Sequence, residues 1–231
     1  MEESKQKFRH ELKYIVSSAQ IHLLKSRIEN IMFPDTHACN NGMYSIRSLY
    51  FDDYSNQCFY ENENGTDPRE KIRMRIYNHS AEHISLECKR KERGKTLKTA
   101  AVITEEQARK VIDGFTWQDI GSMAPTLRKM KLQTDMRLLR PVVIVEYDRI
   151  PYVYPNGNVR ITFDLNVSSS CDCSQFWEEK IPRRPVMPPG THLMEVKFDE
   201  FLPDFIYHSL NLGTLSQTAF SKYYLCRKYS M

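Results

Sequence analysis

The feature that most constrains this chain is a period-two alternation carrying like charges. Lys71, Arg73 and Arg75 alternate with Ile72, Met74 and Ile76, and further on Glu87, Lys89 and Lys91 alternate with Ile84, Leu86 and Cys88. Successive side chains of a strand point to opposite faces, so each stretch has one apolar and one charged face. The pattern returns at Lys7, Arg9, Glu11 and Lys13 against Phe8, Leu12, Tyr14 and Val16. It recurs at Arg160, Thr162 and Asp164 against Val159, Ile161 and Phe163, and at Glu195 and Lys197 against Met194, Val196 and Phe198.

Strands are expected at 7–16, 43–52, 70–78, 82–91, 96–103, 140–154, 158–168 and 191–199. Pro155-Asn156-Gly157-Asn158 is a hairpin signal between two of them. Ser17-Ser18 reads as a helix cap, followed by Ile21, Leu24, Ile28 and Ile31 at helical spacing. Thr104-Glu105-Glu106-Gln107 reads as a capping box opening a second helix, to about Gly114. Helical segments are also expected at 54–61, 122–135 and 203–211, with a last element at 219–229. Residues 169–190, rich in Ser, Cys and Pro, read as a loop or edge excursion. The expectation is one α+β domain over residues 1–231, built on about eight mainly antiparallel strands.

At 231 residues the chain can bury a real core, and 41% hydrophobic with 27% charged residues is too apolar for disorder. Apolar runs such as Val142-Val143-Ile144-Val145 are too short for a bilayer, and MEESKQKFRHELKY has no signal core. A cytoplasmic protein is expected. No glycine-rich phosphate loop is present, so any phosphate handling uses other means. Cys39, Cys58, Cys88, Cys171, Cys173 and Cys226 match neither a C-x-x-C pair nor a zinc spacing, and read as reduced thiols.

The charged faces have two readings. A solvated outer face of an antiparallel sheet is the plain one. Against it, Lys71, Arg73 and Arg75 form a row that repels itself unless something anionic lies over it. The helices also offer enough apolar surface to wrap the outside of a closed β-barrel, turning the charges into its lumen. A basic lumen calls for a polyanion, since arginine forks match phosphate oxygens and lysine adds compact charge. Glu11, Glu87, Asp164 and Glu195 then become candidate ligands for a hard divalent ion shared with the phosphates. A nucleic acid fits less well, because the inward residues are charged rather than aromatic.

Eight segments in order carry a family resemblance: Phe8-Arg9-His10-Glu11-Leu12-Lys13-Tyr14, Ser48-Leu49-Tyr50-Phe51-Asp52, Lys71-Ile72-Arg73-Met74-Arg75-Ile76-Tyr77, Leu86-Glu87-Cys88-Lys89 with Lys98, Leu139-Arg140-Pro141-Val142-Val143 leading to Tyr147-Asp148-Arg149, Val159-Arg160-Ile161-Thr162-Phe163-Asp164, Met194-Glu195-Val196-Lys197, and Phe220-Ser221-Lys222-Tyr223. They resemble the polyphosphate-polymerase (VTC) domain of the vacuolar transporter chaperone family and its bacterial relatives, within the triphosphate tunnel metalloenzyme superfamily.

The resemblance implies a tunnel in which Lys13, Arg73, Arg75, Arg149, Arg160 and Lys222 act on the transferring phosphate. Arg9, Lys71, Lys89, Lys98, Lys197 and Ser221 would bind phosphate beside them. Glu195, with Glu87 and Glu11, would hold Mn2+ or Mg2+. The superfamily's E-x-E-x-K opening is here Arg9-His10-Glu11-Leu12-Lys13, with Arg in place of the first Glu, which resembles the polymerase branch. A family arginine falls near Asn62, where Arg69 or Lys71 are the candidate substitutes. The eukaryotic inositol-phosphate-sensing and transmembrane parts have no counterpart in this sequence.

The implied activity is ATP-dependent polyphosphate synthesis, a phosphotransferase reaction with ATP and polyphosphate as partners and room for a membrane-protein partner. A tripolyphosphatase or nucleoside triphosphatase, and a non-catalytic polyphosphate-binding module, stay open beside it. Asp52 is expected to fix a strand end or orient an arginine, Tyr223 and Tyr224 to pack the last helix, and Trp117 and Trp177 to sit in loops. The formal net charge of +4 conceals a segregation. Arg9, Lys13, Lys71, Arg73, Arg75, Lys89, Lys98, Arg149, Arg160, Lys197 and Lys222 are 11 bases against the four named acids, +7, and the remaining 22 bases and 25 acids give −3.

Overall fold

The computed structural model describes residues 8–36, 38, 42–114 and 123–229. Lys7, Cys39 and Trp117 lie outside them. The alternating segments form strands β1 (His10–Ser17), β2 (Phe33–Pro34), β3 (Tyr44–Asp52), β4 (Arg69–Tyr77), β5 (Ser80–Glu92) and β6 (Lys95–Ile103). After these come β7 (Arg140–Tyr154), β8 (Val159–Ser170), β9 (Arg184–Pro185) and β10 (Thr191–Phe198). The helices are α1 (Ser18–Ile28), α2 (Gln57–Glu63), α3 (Glu105–Ile112), α4 (Pro125–Arg137), α5 (Asp204–Ser209) and α6 (Lys222–Lys228).

Local chemistry sets the helix starts. Ser17 caps α1 and Thr104 caps α3, each accepting from the backbone N–H three residues on while Gln20 or Gln107 reaches back, a reciprocal capping box. The 169–190 excursion carries a 3-10 turn at Cys173–Trp177 and the short strand β9, which pairs with β8. Asp172 caps that turn, accepting from Ser174 and Gln175. The five described cysteines are free thiols.

Eight strands run across one antiparallel sheet in the order β1-β10-β8-β7-β3-β4-β5-β6, with β2 beside β7 and β9 beside β8. The sheet curls until its edges meet, but the expected closed barrel does not form. Arg9, just before β1, and Thr96 of β6 exchange two backbone hydrogen bonds of 2.9 and 3.0 Å, and no ladder continues from there. The free edge of β1 is taken instead by the chain leading into α6: Tyr14 bridges Gln217, and the Thr218 N–H donates to the Lys13 carbonyl at 2.9 Å. The architecture is an eight-strand half-barrel with a filled seam.

Apolar faces of the strands turn outward under helices, as the alternation requires. Ile72, Met74, Ile76, Ile84 and Leu86 pack with Ala108 and Val111 of α3 and Leu127 and Met130 of α4. Val159, Ile161, Phe163, Met194 and Val196 pack with Ile21, Leu24 and Ile28 of α1 and Ile206 of α5. A third cluster lies on the concave side, where Tyr223 and Cys226 of α6 meet Tyr44, Ile46, Tyr50, Val145 and Tyr147. The last helix therefore sits inside the curl and brings Lys222 to the charged face.

Candidate functional site

Antiparallel register builds the concave face. Lys13 of β1 lies opposite Glu195 of β10, and Glu11 opposite Lys197. Glu195 in turn faces Thr162 of β8, Lys197 faces Arg160, and Arg149 of β7 faces Asp164. Across the curl, Arg73 of β4 faces Glu87 of β5, Lys71 faces Lys89, and Lys89 faces Lys98 of β6. Directly opposed residues on one face are close enough to pair.

Ion pairs join most of the expected residues into one network. Glu195 lies 2.5 Å from Lys197, 2.7 Å from Lys222, and 3.8 Å from both Lys13 and Arg149. Asp164 accepts two bonds from Arg149, at 2.6 and 2.7 Å, and lies 2.6 Å from Lys222. Glu11 lies 2.6 Å from Lys89, 3.6 Å from Lys197 and 4.0 Å from Lys13. Glu87 holds Arg73 and Lys98, each at 2.7 Å, with Arg75 at 3.8 Å. The Tyr147 hydroxyl joins the two halves, accepting from Arg75 at 3.2 Å and Arg149 at 3.4 Å.

Charge, not burial, decides the ionisation of the acids. Burial alone would raise all four carboxyls, but Lys197, Lys222, Lys13 and Arg149 hold Glu195 well below the carboxylate range. Arg75, Arg73 and Lys98 do the same for Glu87, and Lys89, Lys13 and Lys197 for Glu11, while Arg149 and Lys222 lower Asp164. Burial likewise opposes ionisation of Tyr147, yet the Arg149 and Arg75 guanidiniums pull its phenol below the usual range. Lys89 is pushed down to about 8, chiefly by burial.

Three expected phosphate ligands stand apart. Arg9 is tied to Asp199 at 2.7 Å, and Arg160 to Asp35 at 2.7 Å and to the Tyr44 hydroxyl at 3.0 Å. Lys71 donates to Asn62 Oδ1 and, at 2.9 Å, to Ser221 Oγ. Asn62, near which the resemblance places a family arginine, thus touches one of the candidate substitutes. Asp52 orients no arginine. It accepts from the N–H groups of Asp53, Cys58 and Phe59 and from the Tyr223 hydroxyl, pinning α2 and α6 to the end of β3.

Tyr147 and Tyr50 escaped the reading of charged residues, although each shares a concave face with a residue it named, and the alternation places Thr162 on the charged face of β8 without a role. Tyr50 accepts from Arg73 at 2.9 Å. The Thr162 hydroxyl, opposite Glu195, is buried and has no hydrogen-bond partner among the described residues. Asp35 lies outside the long strands, where no periodicity marks it, and Asp199 continues the Glu195 and Lys197 alternation one residue past the end of β10.

A curled antiparallel sheet with a basic concave face and helices outside is the fold of the triphosphate tunnel proteins. It resembles a proposed adenylate cyclase from Bacillus halodurans, at 14% identity over 94% of this chain and 95% of that one, with a TM-score of 0.52. It also resembles a proposed adenylyl cyclase from Hippeastrum, described as having a dominant triphosphatase activity, at 12% identity over 97% of each chain, with a TM-score of 0.53. No curated protein matches the chain. The VTC domain family matches residues 8–231, and the chain belongs to that family.

The carboxylates of the concave face are the candidate donors for a divalent metal. Among the described residues no three His, Cys, Asp or Glu side chains cluster. Glu195 and Glu11 instead share Lys13 and Lys197, with the orphaned Thr162 hydroxyl opposite Glu195. Glu87 shares no ion-pair partner with either. Two carboxylates crowded by cations suit a hard ion that arrives already carrying phosphate oxygens, since those oxygens complete its coordination and draw the lysines away. Among the described residues no helix is long and apolar enough to cross a membrane.

Proposed function

We propose that the chain synthesises inorganic polyphosphate from ATP. The observation that carries this reading is the concave network, in which strands β1, β4–β8 and β10 together with α6 contribute cations or their carboxylate partners. A site of that kind has the parts for phosphoryl transfer, where positioning and charge stabilisation do most of the work and no protein nucleophile is required. Membership of the VTC family supports the choice of reaction. So does Arg9, which takes a carboxylate's place at the opening of β1 and is drawn aside by Asp199.

In this reading the triphosphate of ATP lies along the concave face, and Arg73, Arg75 and Arg149 fork onto the γ-phosphoryl oxygens. Lys222, Lys197 and Lys13 exchange Glu195 for phosphate oxygens, and Lys89 and Lys98 follow the chain further. Arg160, at the far margin, meets its end. Mn2+ or Mg2+, held by Glu195 and Glu11, supplies further charge neutralisation on the phosphates when bound. An oxygen of inorganic phosphate, or of a chain end, bonds to the γ-phosphorus as the bond to the ADP oxygen breaks, and ADP leaves with that electron pair.

Incubation with ATP and Mn2+, read on a gel, tests the proposal. Long-chain polyphosphate supports it. Free phosphate alone would make the chain a hydrolase of the same fold, and polyphosphate binding without ATP turnover would make it a binding module.

A further inference from the structure

Seven lysines lie on the strand faces and helix end that form the groove; five have a carboxylate within 4.0 Å, Lys13, Lys89, Lys98, Lys197 and Lys222, and Lys91, half-buried near the end of β5, has none among the described residues. Lys71 likewise has none among the described residues. Its ammonium position is filled by two neutral acceptors, Asn62 Oδ1 from α2 and Ser221 Oγ at the start of α6, and it lies 5.3 Å from the centre of the Tyr223 ring.

The groups nearest Lys71 are cations or neutral, and the closest acids, Asp52 of β3 and Glu61 of α2, act on its neighbour Cys58. Lys89 of β5 is its cross-strand partner, Arg69 and Arg73 flank it on β4, and Lys13 of β1 adds a third direction of repulsion. From α2, burial pushes the Cys58 thiol up, so that it stays neutral. From α6, burial and Asp52 do the same for the Tyr223 phenol. Asp52 itself is satisfied by three backbone N–H groups and that phenol. Burial first, then Lys89, Lys13 and Arg69, pushes the Lys71 amine well below the usual lysine range.

We propose that Lys71 takes up a proton when a phosphate chain enters the groove, and so binds the chain as an ammonium formed on its arrival. This rests on reading the groove as a phosphate site. The incoming polyanion supplies the negative charge that the surroundings of Lys71 lack, and the added proton comes from solvent. A lysine already paired with a carboxylate has less to gain, because its charge is present before the ligand arrives. In the free protein the arrangement also spares the crowded Lys13, Lys71 and Lys89 cluster one positive charge.

The test is calorimetric titration of the full chain with tripolyphosphate, in buffers of different ionisation enthalpy and over a range of pH. Proton uptake per bound ligand is compared between the wild type and Lys71→Arg, whose guanidinium stays charged, and Lys71→Met, which cannot titrate. The ligand's own protonation is common to all three proteins and cancels; Lys89, coupled to residue 71 across the strands, is removed from the comparison by repeating it in a Lys89→Arg background. Both variants are expected to lose up to about one proton of uptake, and with it part of the fall in affinity as pH rises. Lys71→Arg should retain wild-type affinity at neutral pH while Lys71→Met loses it, a split that a merely structural role would not produce. Equal proton uptake in the wild type and Lys71→Met overturns the inference while leaving the groove a phosphate site. Absence of tripolyphosphate binding in the wild type overturns the parent reading and this one together.

Discussion

Arg47 and Arg75 lie on neighbouring strands of the same sheet, and both are nearly inaccessible to solvent. Arg47 points to the convex side, Arg75 to the concave. Arg47 donates to Glu146 at 2.6 Å, to the Phe176 carbonyl at 3.1 Å, to the Glu179 carbonyl at 3.2 Å and to the Glu178 carbonyl. His79 and Arg183 close over the far oxygen of Glu146. Each arm of that guanidinium is consumed by protein, and its work is to pin the 169–190 excursion to β3 and β7. Arg75 finds only hydroxyls close by, Ser48 at 3.1 Å and Tyr147 at 3.2 Å, with its nearest carboxylate at 3.8 Å. Two buried arginines of one sheet thus divide into a closed structural pair and a donor still short of an anion.

The largest expected effects break that comparison open. Arg75→Met should abolish turnover of ATP, by at least about 100-fold as for the loss of a donor to developing charge, with the fold intact. Glu87 still keeps Arg73 and Lys98, so no buried carboxylate is stranded. Arg47→Met should do the reverse. It leaves Glu146 and three carbonyls without their donor, costing about 3–5 kcal/mol by denaturant unfolding, while the turnover of the folded fraction stays at wild-type level. If Arg47→Met loses activity without losing stability, the division between the two faces is wrong.

Asp164 and Glu195 sharpen the concave side of the comparison. Asp164→Asn removes the carboxylate that aligns Arg149 and shares Lys222, so both turnover and stability should fall. Glu195→Gln should lose turnover and Mn2+ dependence together, because the same side chain anchors three lysines and is the proposed ligand of the ion. Tripolyphosphate binding measured without metal separates the two roles, and is expected to survive in Glu195→Gln better than turnover does.

The alternation made the strands legible from residue types alone, because a period of two leaves each side chain only two faces. Lys71, Arg73 and Arg75 were thereby placed on one face, and Glu87 and Lys89 on another that turned out to be its neighbour. What alternation cannot give is which distant strand lies opposite. The pairing of β1 with β10, and the entry of residues 217–218 into the seam, depend on contacts some 200 positions apart in the chain. A closed barrel was the simplest closure compatible with two free edges, and the bridge from Tyr14 to Gln217 shows why it stops short. Arg47 and Glu146 stayed invisible for a related reason: a lone charge on an apolar face carries its meaning in the partner that covers it.

The acid limb of stability distinguishes the faces in a milder way. Glu87, Glu11 and Glu195 are held below the ordinary carboxylate value of 4.5, so folding favours their ionised form. The stability they contribute is complete above that value and is lost as pH falls through it toward their lower folded values. Glu87→Gln removes one such term, at the cost of leaving Arg73 without its carboxylate. Chemical denaturation between neutral pH and the acid range should show a lower plateau and a shallower decline than in the wild type. Identical slopes would mean that Glu87 ionises as freely in the folded chain as in the unfolded one.

The smallest effect probes a hydroxyl of the concave face that has no partner among the described residues. Thr162 lies between Arg160 and Asp164 on β8 and opposite Glu195, and its oxygen is buried without a partner. A buried polar group with no hydrogen bond costs about 1–3 kcal/mol, and an apolar group of the same shape removes that cost. Thr162→Val should therefore match or exceed wild-type stability, by about 1 kcal/mol, in the absence of ligand. The same substitution should weaken tripolyphosphate or metal–triphosphate binding several-fold if the hydroxyl is kept for the ligand. Arg47 predicts no counterpart on the convex side, since each of its hydrogen bonds is already made within the protein. Unchanged binding in Thr162→Val would leave the hydroxyl without a ligand role and move the contact surface toward β4 and β5, where Arg73, Arg75 and Lys98 converge on Glu87.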